Sequence, residues 1–187
     1  MIKILAMAGS LRKDSFNKAA LKAAQGLVPK NATLGIFDSL GKIPPFNQDQ
    51  ENNPPEVVKK LKKAIRAADA ILFVTPEYNY SVPGVLKNAI DWASRPYADN
   101  SWEGKPAGIM GASPGMLGTS RAQYHLRQIF VFLNMFPLNR PEVMIPNAPE
   151  KFDKQGNLID DYTRNKIKEL LEALVAWTSE LALSKKS

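Results

Sequence analysis

The sequence predicts a doubly wound α/β fold: a five-stranded parallel sheet in the order 2-1-3-4-5, with helices on both faces. Three observations carry this expectation. Short apolar runs recur that are too continuous to be half-exposed strands. Segments with helical spacing separate them, and neither an internal repeat nor a break in composition divides the 187 residues into a second domain.

IKILAMA (2–8) is an unbroken apolar run, ATLGIFD (32–38) is more mixed, and AILFVT (70–75) and PAGIMGA (106–112) are nearly unbroken. Runs of this kind are parallel strands covered on both faces. PEVM (141–144) is read as a short fifth strand. Between strands, AALKAAQGL follows the first loop. Val57, Leu61, Ala64, Ile65 and Ala68 recur at helical spacing, as do Ile167, Leu170, Leu171, Leu174, Val175 and Leu181 near the end. A further helix runs through VLKNAIDWASRP, with Ile90 and Trp92 read as core. Alternating strands and helices make a layered α/β domain over 1–187, and right-handed crossovers leave the doubly wound sheet as the simplest closure. Two stretches fall outside the pattern: GKIPPFNQDQENNPP (41–55) and PNAPEKFDKQGNLIDD (146–161). Both are long loops, either functional or a cover for the surface.

Composition narrows the chemistry. An apolar content of 44% and a charged content of 23% are ordinary for a globular chain. With no Cys, disulfides, iron–sulfur clusters and thiolate catalysis are excluded. A single His, His125, leaves a zinc site only carboxylates to complete it. The start, MIKILAMAGSLR, is too short in its apolar part for a signal peptide, and no run approaches the roughly 20 residues of a membrane span. A cytoplasmic protein without a membrane span is expected. The formal charge of +7 is concentrated in KKLKKAIR (59–66) and in Lys185 and Lys186. Lacking interleaved aromatics, these read as solvated faces, and no nucleic-acid partner is expected. A positive field still favours encounter with anionic small molecules.

In open parallel sheets, ligands sit beyond the carboxyl ends of the strands where the winding reverses, here between the first and third strands. The first tip carries GSLRKDSFN (9–17). It has one glycine where a dinucleotide fingerprint needs three, and no Gly-Lys-Ser/Thr to make a P-loop. Ser10, Arg12, Ser15 and Asn17 lead into a helix, where hydroxyls, an amide and free backbone N–H groups can hold one phosphate. The alternative is that Asp14 or Ser15 merely caps that helix. The second tip carries PEYNYSVPG (76–84). Pro76 lacks a donor, so the N–H groups of Glu77, Tyr78 and Asn79 face a flat heteroaromatic, with Tyr78 and Tyr80 beside it for stacking. Glu77 is read as orienting or solvated, not as a general acid. The third tip, GASPGMLGTSR (111–121), brings Ser113, Gly115 and Gly118 close to a ligand edge, with Thr119 or Ser120 as the cap of the next helix. Together they form a phosphate pocket beside a planar, amide-lined slot, the shape of a mononucleotide with a flat ring.

The set GSLRKDSFN, TPEYNYSVPGVLKNAIDWASRP and SPGMLGTSRAQ resembles the NADPH-dependent FMN reductase family, and within it the bacterial quinone and chromate reductases. The likeness extends from residue 2 to KFDKQGNLID (151–160). It implies a flavodoxin-like fold, FMN as cofactor and NADPH or NADH as co-substrate. Ser10, Arg12, Ser15 and Asn17 then hold the phosphate, with Phe16 beside them. Pro76, Glu77, Tyr78 and Asn79 hold the ring and Ser113 closes the site. No residue is catalytic, since N5 of the flavin carries the chemistry. Two electrons pass to a quinone, chromate or similar small acceptor, and one face shared by both substrates implies ping-pong kinetics. Thr119 departs from relatives that carry a second glycine there, and its side chain is expected to narrow access to the ring edge. The resemblance also implies a homodimer or a tetramer. QIFVFLNMF (128–136), apolar on more than one helix face, suits burial or an interface. Arg95, Arg121 and His125 are candidates for contacts across it, His125 being alternatively an exposed helix residue. Two other readings of such a fold are a flavodoxin-type electron carrier, typically acidic, and a receiver domain, which needs acidic strand tips.

Overall fold

The computed structural model describes residues 1–184, so Lys185 and Lys186 of the basic tail lie outside the described residues. Its central sheet is parallel and flavodoxin-like, in the order β2-β1-β3-β4-β5 with β6 also paired to β4. The strands are β1 (Ile2–Ala8), β2 (Ala32–Ile36), β3 (Ala70–Val74), β4 (Pro106–Ala112), β5 (Phe136–Pro137) and β6 (Val143–Ile145). The helices are α1 (Phe16–Gly26), α2 (Glu56–Ala67), α3 (Gly84–Ala93), α4 (Ser120–Leu133), α5 (Ala148–Lys151) and α6 (Asp161–Ser184).

β3 and β4, the two most apolar runs, are buried at every residue, as strands covered on both faces must be. One side of the sheet packs Leu61 and Ile65 of α2, Leu86 and Ile90 of α3, and Leu126 and Phe130 of α4. The other packs Leu21 of α1 and Ile167, Leu170, Leu171 and Leu174 of α6. Trp92 lies in the first of these cores, as its spacing suggests. Its indole N–H also donates to Pro44 O at 2.8 Å. Asn88 of the same helix donates to that carbonyl at 2.9 Å and accepts from Phe46 N–H at 2.8 Å. The Pro- and Asn-rich loop is thus pinned to α3 by two side chains one turn apart, and it contains two 3₁₀ turns, Leu40–Lys42 and Gln48–Gln50.

Three features depart from expectation. The outer strand is broken into β5, paired with Pro106 and Ala107 at the start of β4, and β6, paired with Met110 to Ala112 at its end. β6 begins at Val143, inside the segment predicted as the fifth strand. Phe136 therefore belongs to a strand and not to the apolar helix, which ends at Leu133 because Asn134 turns left-handed (φ 52°) and stops it. The loop 146–161 contains the single turn α5, and Asp160 caps α6 by accepting from Thr163 N–H at 2.8 Å. A hydrogen bond from Lys151, together with those from Thr163, holds the Asp160 carboxyl down at about 2. Finally, the basic run on α2 is solvated only in part. Lys62 is buried, bonded to Arg95 O and at 2.5 Å to Asp99 Oδ2, and Asp99 also pairs with Arg66. An ammonium leaves water only with such compensation.

The two glycines of β4 differ in what surrounds them. At Gly111, near the carboxyl end of the strand, a Cβ would collide with Thr119 Oγ1 and with the backbone carbonyl oxygen of Thr75. At Gly108, deeper in the strand, it would meet only the ends of Leu174 and Leu72, at 3.2 and 3.3 Å. Gly111→Ala is expected to destabilise the protein by about 3 kcal/mol, because a backbone carbonyl cannot move aside. Gly108→Ala should cost about 1 kcal/mol, since leucine ends can rotate. Urea unfolding of the two variants checks the contrast.

Candidate functional site

The register of the sheet brings the three tips level. Ala8 pairs with Val74, and Val74 with Met110. The ladder continues past the strand ends through Gly9 N–H to Val74 O at 2.9 Å and Thr75 N–H to Met110 O at 3.0 Å. The chain therefore leaves β1, β3 and β4 at one rim, and a cleft opens there. Every predicted site residue except Asn79 lines it, together with Ala112 and Pro114, which no sequence pattern singles out.

At the first tip Ser15 is the N-cap of α1, its Oγ accepting from the N–H groups of Asn17 and Lys18 at 3.2 and 3.4 Å. Capping and anion binding do not compete here, because a hydroxyl that accepts at its lone pairs keeps its own hydrogen to donate. Ser10 is buried, and no protein group among the described residues bonds its hydroxyl. The Arg12 guanidinium lies 5.7 Å from the centre of the Phe16 ring and forms no ion pair among the described residues. Asn17 also makes contacts that the sequence does not suggest. Its side-chain amide faces the sheet: Nδ2 donates to Ala112 O and Oδ1 accepts from Ala112 N–H, both at 2.9 Å. It ties the first tip to the third, and the second hydrogen of Nδ2 is left to face an anion.

At the second tip Asn79 and Tyr80 are both left-handed, with φ of 49° and 67°. Tyr78 and Ser81 exchange backbone hydrogen bonds around them at 3.1 and 3.0 Å, making a two-residue hairpin of the primed type. The Tyr78 N–H is therefore engaged, contrary to expectation, while those of Glu77 and Asn79 have no protein acceptor among the described residues. Tyr78 and Tyr80 are exposed.

Glu77 is an orienting residue, as the sequence suggests, and its role is specific. Its carboxylate accepts from the backbone N–H groups of Arg121 and Ala122 at 3.0 and 3.2 Å and pairs with the Arg121 guanidinium. It caps α4 from 44 residues away. The sequence places that cap at Thr119 or Ser120. Thr119 sits at the N-cap position but is left-handed (φ 73°) and makes no cap bond. Its side chain is buried, accepting from Gln123 Nε2 at 3.1 Å, so it does not narrow the rim. Arg121, held by Glu77, lies 3.5 Å over the Tyr80 ring. Of the other two interface candidates, Arg95 stacks 4.1 Å from the centre of the Tyr97 ring, and His125 is exposed with Nδ1 2.9 Å from Ser81 Oγ.

The donor set fits a phosphorylated planar ligand. One end offers hydroxyls, a cation and a helix start, and the other offers unengaged backbone N–H groups beside exposed tyrosines. Glu77, the one carboxylate lining the cleft, is committed to Arg121 and the start of α4, and the described residues hold no cluster suited to a metal ion.

The chain has clear relatives among known proteins. The family described as NADPH-dependent FMN reductase matches residues 2–150. An NAD(P)H-dependent FMN reductase of Pseudomonas aeruginosa is 54% identical over 181 residues, covering 96% of this chain and 97% of that protein. A 2-hydroxy-1,4-benzoquinone reductase of a Burkholderia species is 41% identical, covering 96% and 97%. Among solved structures, the flavoenzyme NAD(P)H:(acceptor) oxidoreductase FerB of Paracoccus denitrificans superposes with a TM-score of 0.88 at 38% identity, covering 96% of this chain and 98% of that one.

Replacing Glu77 tests its assignment. Glu77→Ala should lower stability by about 1–2 kcal/mol through loss of the cap. Glu77→Gln, which keeps an acceptor oxygen, should lower it by less and remove no ionisation from the pH–rate profile. A limb of that profile lost in Glu77→Gln would make the carboxyl a proton donor instead.

Proposed function

Because the chain belongs to the NADPH-dependent FMN reductase family, we propose that it works as one FMN-binding domain passing two electrons from NAD(P)H to a quinone or similar small acceptor, chromate included. The observation that carries this reading is the convergence of three loops on one cleft with unengaged donors at both ends. Bound FMN supplies the two-electron chemistry. The protein binds and orients it. Ser10, Ser15 and Arg12 hold the phosphate, with Phe16 beside them and Asn17 fixing the loop's position through Ala112. Pro76 and the N–H groups of Glu77 and Asn79 meet the ring edge, Tyr78 lies beside it, and Ser113 closes the third side.

No side chain is assigned a proton transfer. An open ring face shared in turn by NAD(P)H and the acceptor gives ping-pong kinetics. The net positive charge of +7 favours the approach of anionic nicotinamide nucleotides. We place the protein in the cytoplasm, beside its reductant; no helix among the described residues is long and apolar enough to cross a membrane. On α4, whose start is capped from the second tip, Tyr124, Val131 and Phe132 are exposed, Val131 by 82% and Phe132 by 72%. Such a ridge suits a second copy of the chain, giving a homodimer or a pair of dimers.

The purified protein should be yellow and should oxidise NAD(P)H with a quinone and no partner reductase, with parallel initial-rate lines. Intersecting lines would contradict the shared face, and turnover that needs a separate reductase would make the protein an electron carrier. Arg12→Ala should weaken FMN binding by about 10- to 100-fold, the worth of one charge-assisted bond, and leave riboflavin binding nearly unchanged. Equal losses for both flavins would remove Arg12 from the phosphate seat.

A further inference from the structure

A second cavity, of about 470 Å³, adjoins the phosphate end of the cleft and shares Arg12, Ser15 and Phe16 with it. It lies between the start of α1 and the segment around α5 that the sequence marks only as a long loop. Its apolar wall is formed by Phe16, Ala19, Pro149 and Phe152, with the two phenyl rings 5.8 Å apart. Its polar wall carries Arg12, Lys13, Lys18, Lys22 and Lys154.

Those cations exceed the carboxylates that face them, Asp14 and Asp153. Asp153 is turned into its own loop, accepting from Gln155 N–H at 2.9 Å and Asn157 N–H at 2.8 Å. Lys18 bonds Leu11 O at 3.2 Å, whereas Lys13, Lys22 and Lys154 form no ion pair among the described residues. A cavity lined by two aromatic rings and by more cations than carboxylates suits a base attached to phosphate.

The geometry points to this cavity as a seat for the adenylyl half of a flavin dinucleotide, so that FAD is a second cofactor for the same site. The inference rests on the FMN reading above. FAD is FMN with AMP joined to its phosphate, so the added group has to leave from the phosphate seat. Arg12, Ser15 and Phe16, which line both cavities, stand at that junction. A nicotinamide nucleotide must instead reach the ring, at the far end of the cleft between Pro76 and Ser113. The second phosphate falls among Lys13, Lys18 and Lys154, and adenine lies along Phe16 and Phe152.

Calorimetric titration of the full chain, stripped of flavin, with FMN and with FAD tests this. The wild type should bind FAD within about tenfold of FMN. Lys13→Gln combined with Lys154→Gln should weaken FAD by at least about tenfold and FMN by less than about threefold, the lost attraction being to the second phosphate only. Lys22→Gln, on the same wall, gives a second variant, and thermal unfolding confirms that each is folded. FAD bound more than about 100-fold more weakly than FMN by the wild type would overturn the inference, as would equal losses for the two flavins. So would a raised KM for NADPH with FAD affinity unchanged, which would give the cavity to the nicotinamide nucleotide. Failure of the wild type to bind FMN would instead remove the reading beneath it.

Discussion

The candidate site depends on one side chain more than any other. Asn17 reaches from the first tip past β3 and takes both the N–H and the C=O of Ala112, the last residue of β4. β1 and β4 are not neighbours in the sheet, so no ladder hydrogen bond sets the spacing of their tips directly. Asn17 supplies that link. Its two bonds are buried, and each buried backbone group left unpaired costs about 1–3 kcal/mol, so the link is held firmly. Glu77 does the corresponding work between the second tip and α4. Two polar residues that look like ligand contacts in sequence thus also hold together the loops around the cleft.

This division of labour explains how the site can be built mainly from backbone and small side chains. A ring edge met by N–H groups needs those groups to stay in place without the ligand. The left-handed pair Asn79–Tyr80 sets one hairpin, and the Glu77 carboxylate fixes its base. Below the rim, Gly111 leaves room for Thr119, whose buried hydroxyl meets Gln123 while Gln123 also reaches Val143 O on β6 at 3.1 Å. The broken outer strand is therefore tied to the third loop.

How much of this is legible in sequence depends on range. β1, β3 and β4 are, because burial on both faces demands unbroken apolar runs, and the cleft residues are, because strand tips follow from strands. β5 is not. Phe136 and Pro137 continue an apolar stretch whose helix stops only because Asn134 turns left-handed. Asn17 and Glu77 stand out in sequence as site residues, but their partners do not. Ala112 and Arg121 lie 95 and 44 residues away, and no local pattern reports such a distance. Lys62 is hidden likewise, as one lysine in a run whose other members are mostly exposed.

The most direct measurement is hydrogen exchange at the Ala112 amide in Asn17→Ala, read beside an FMN titration of the same variant. Loss of the link should speed that exchange by at least about tenfold and weaken FMN by a comparable factor. Faster exchange at Ala112 with FMN affinity unchanged would show that the first and third loops do not need this tie, and would contradict the account.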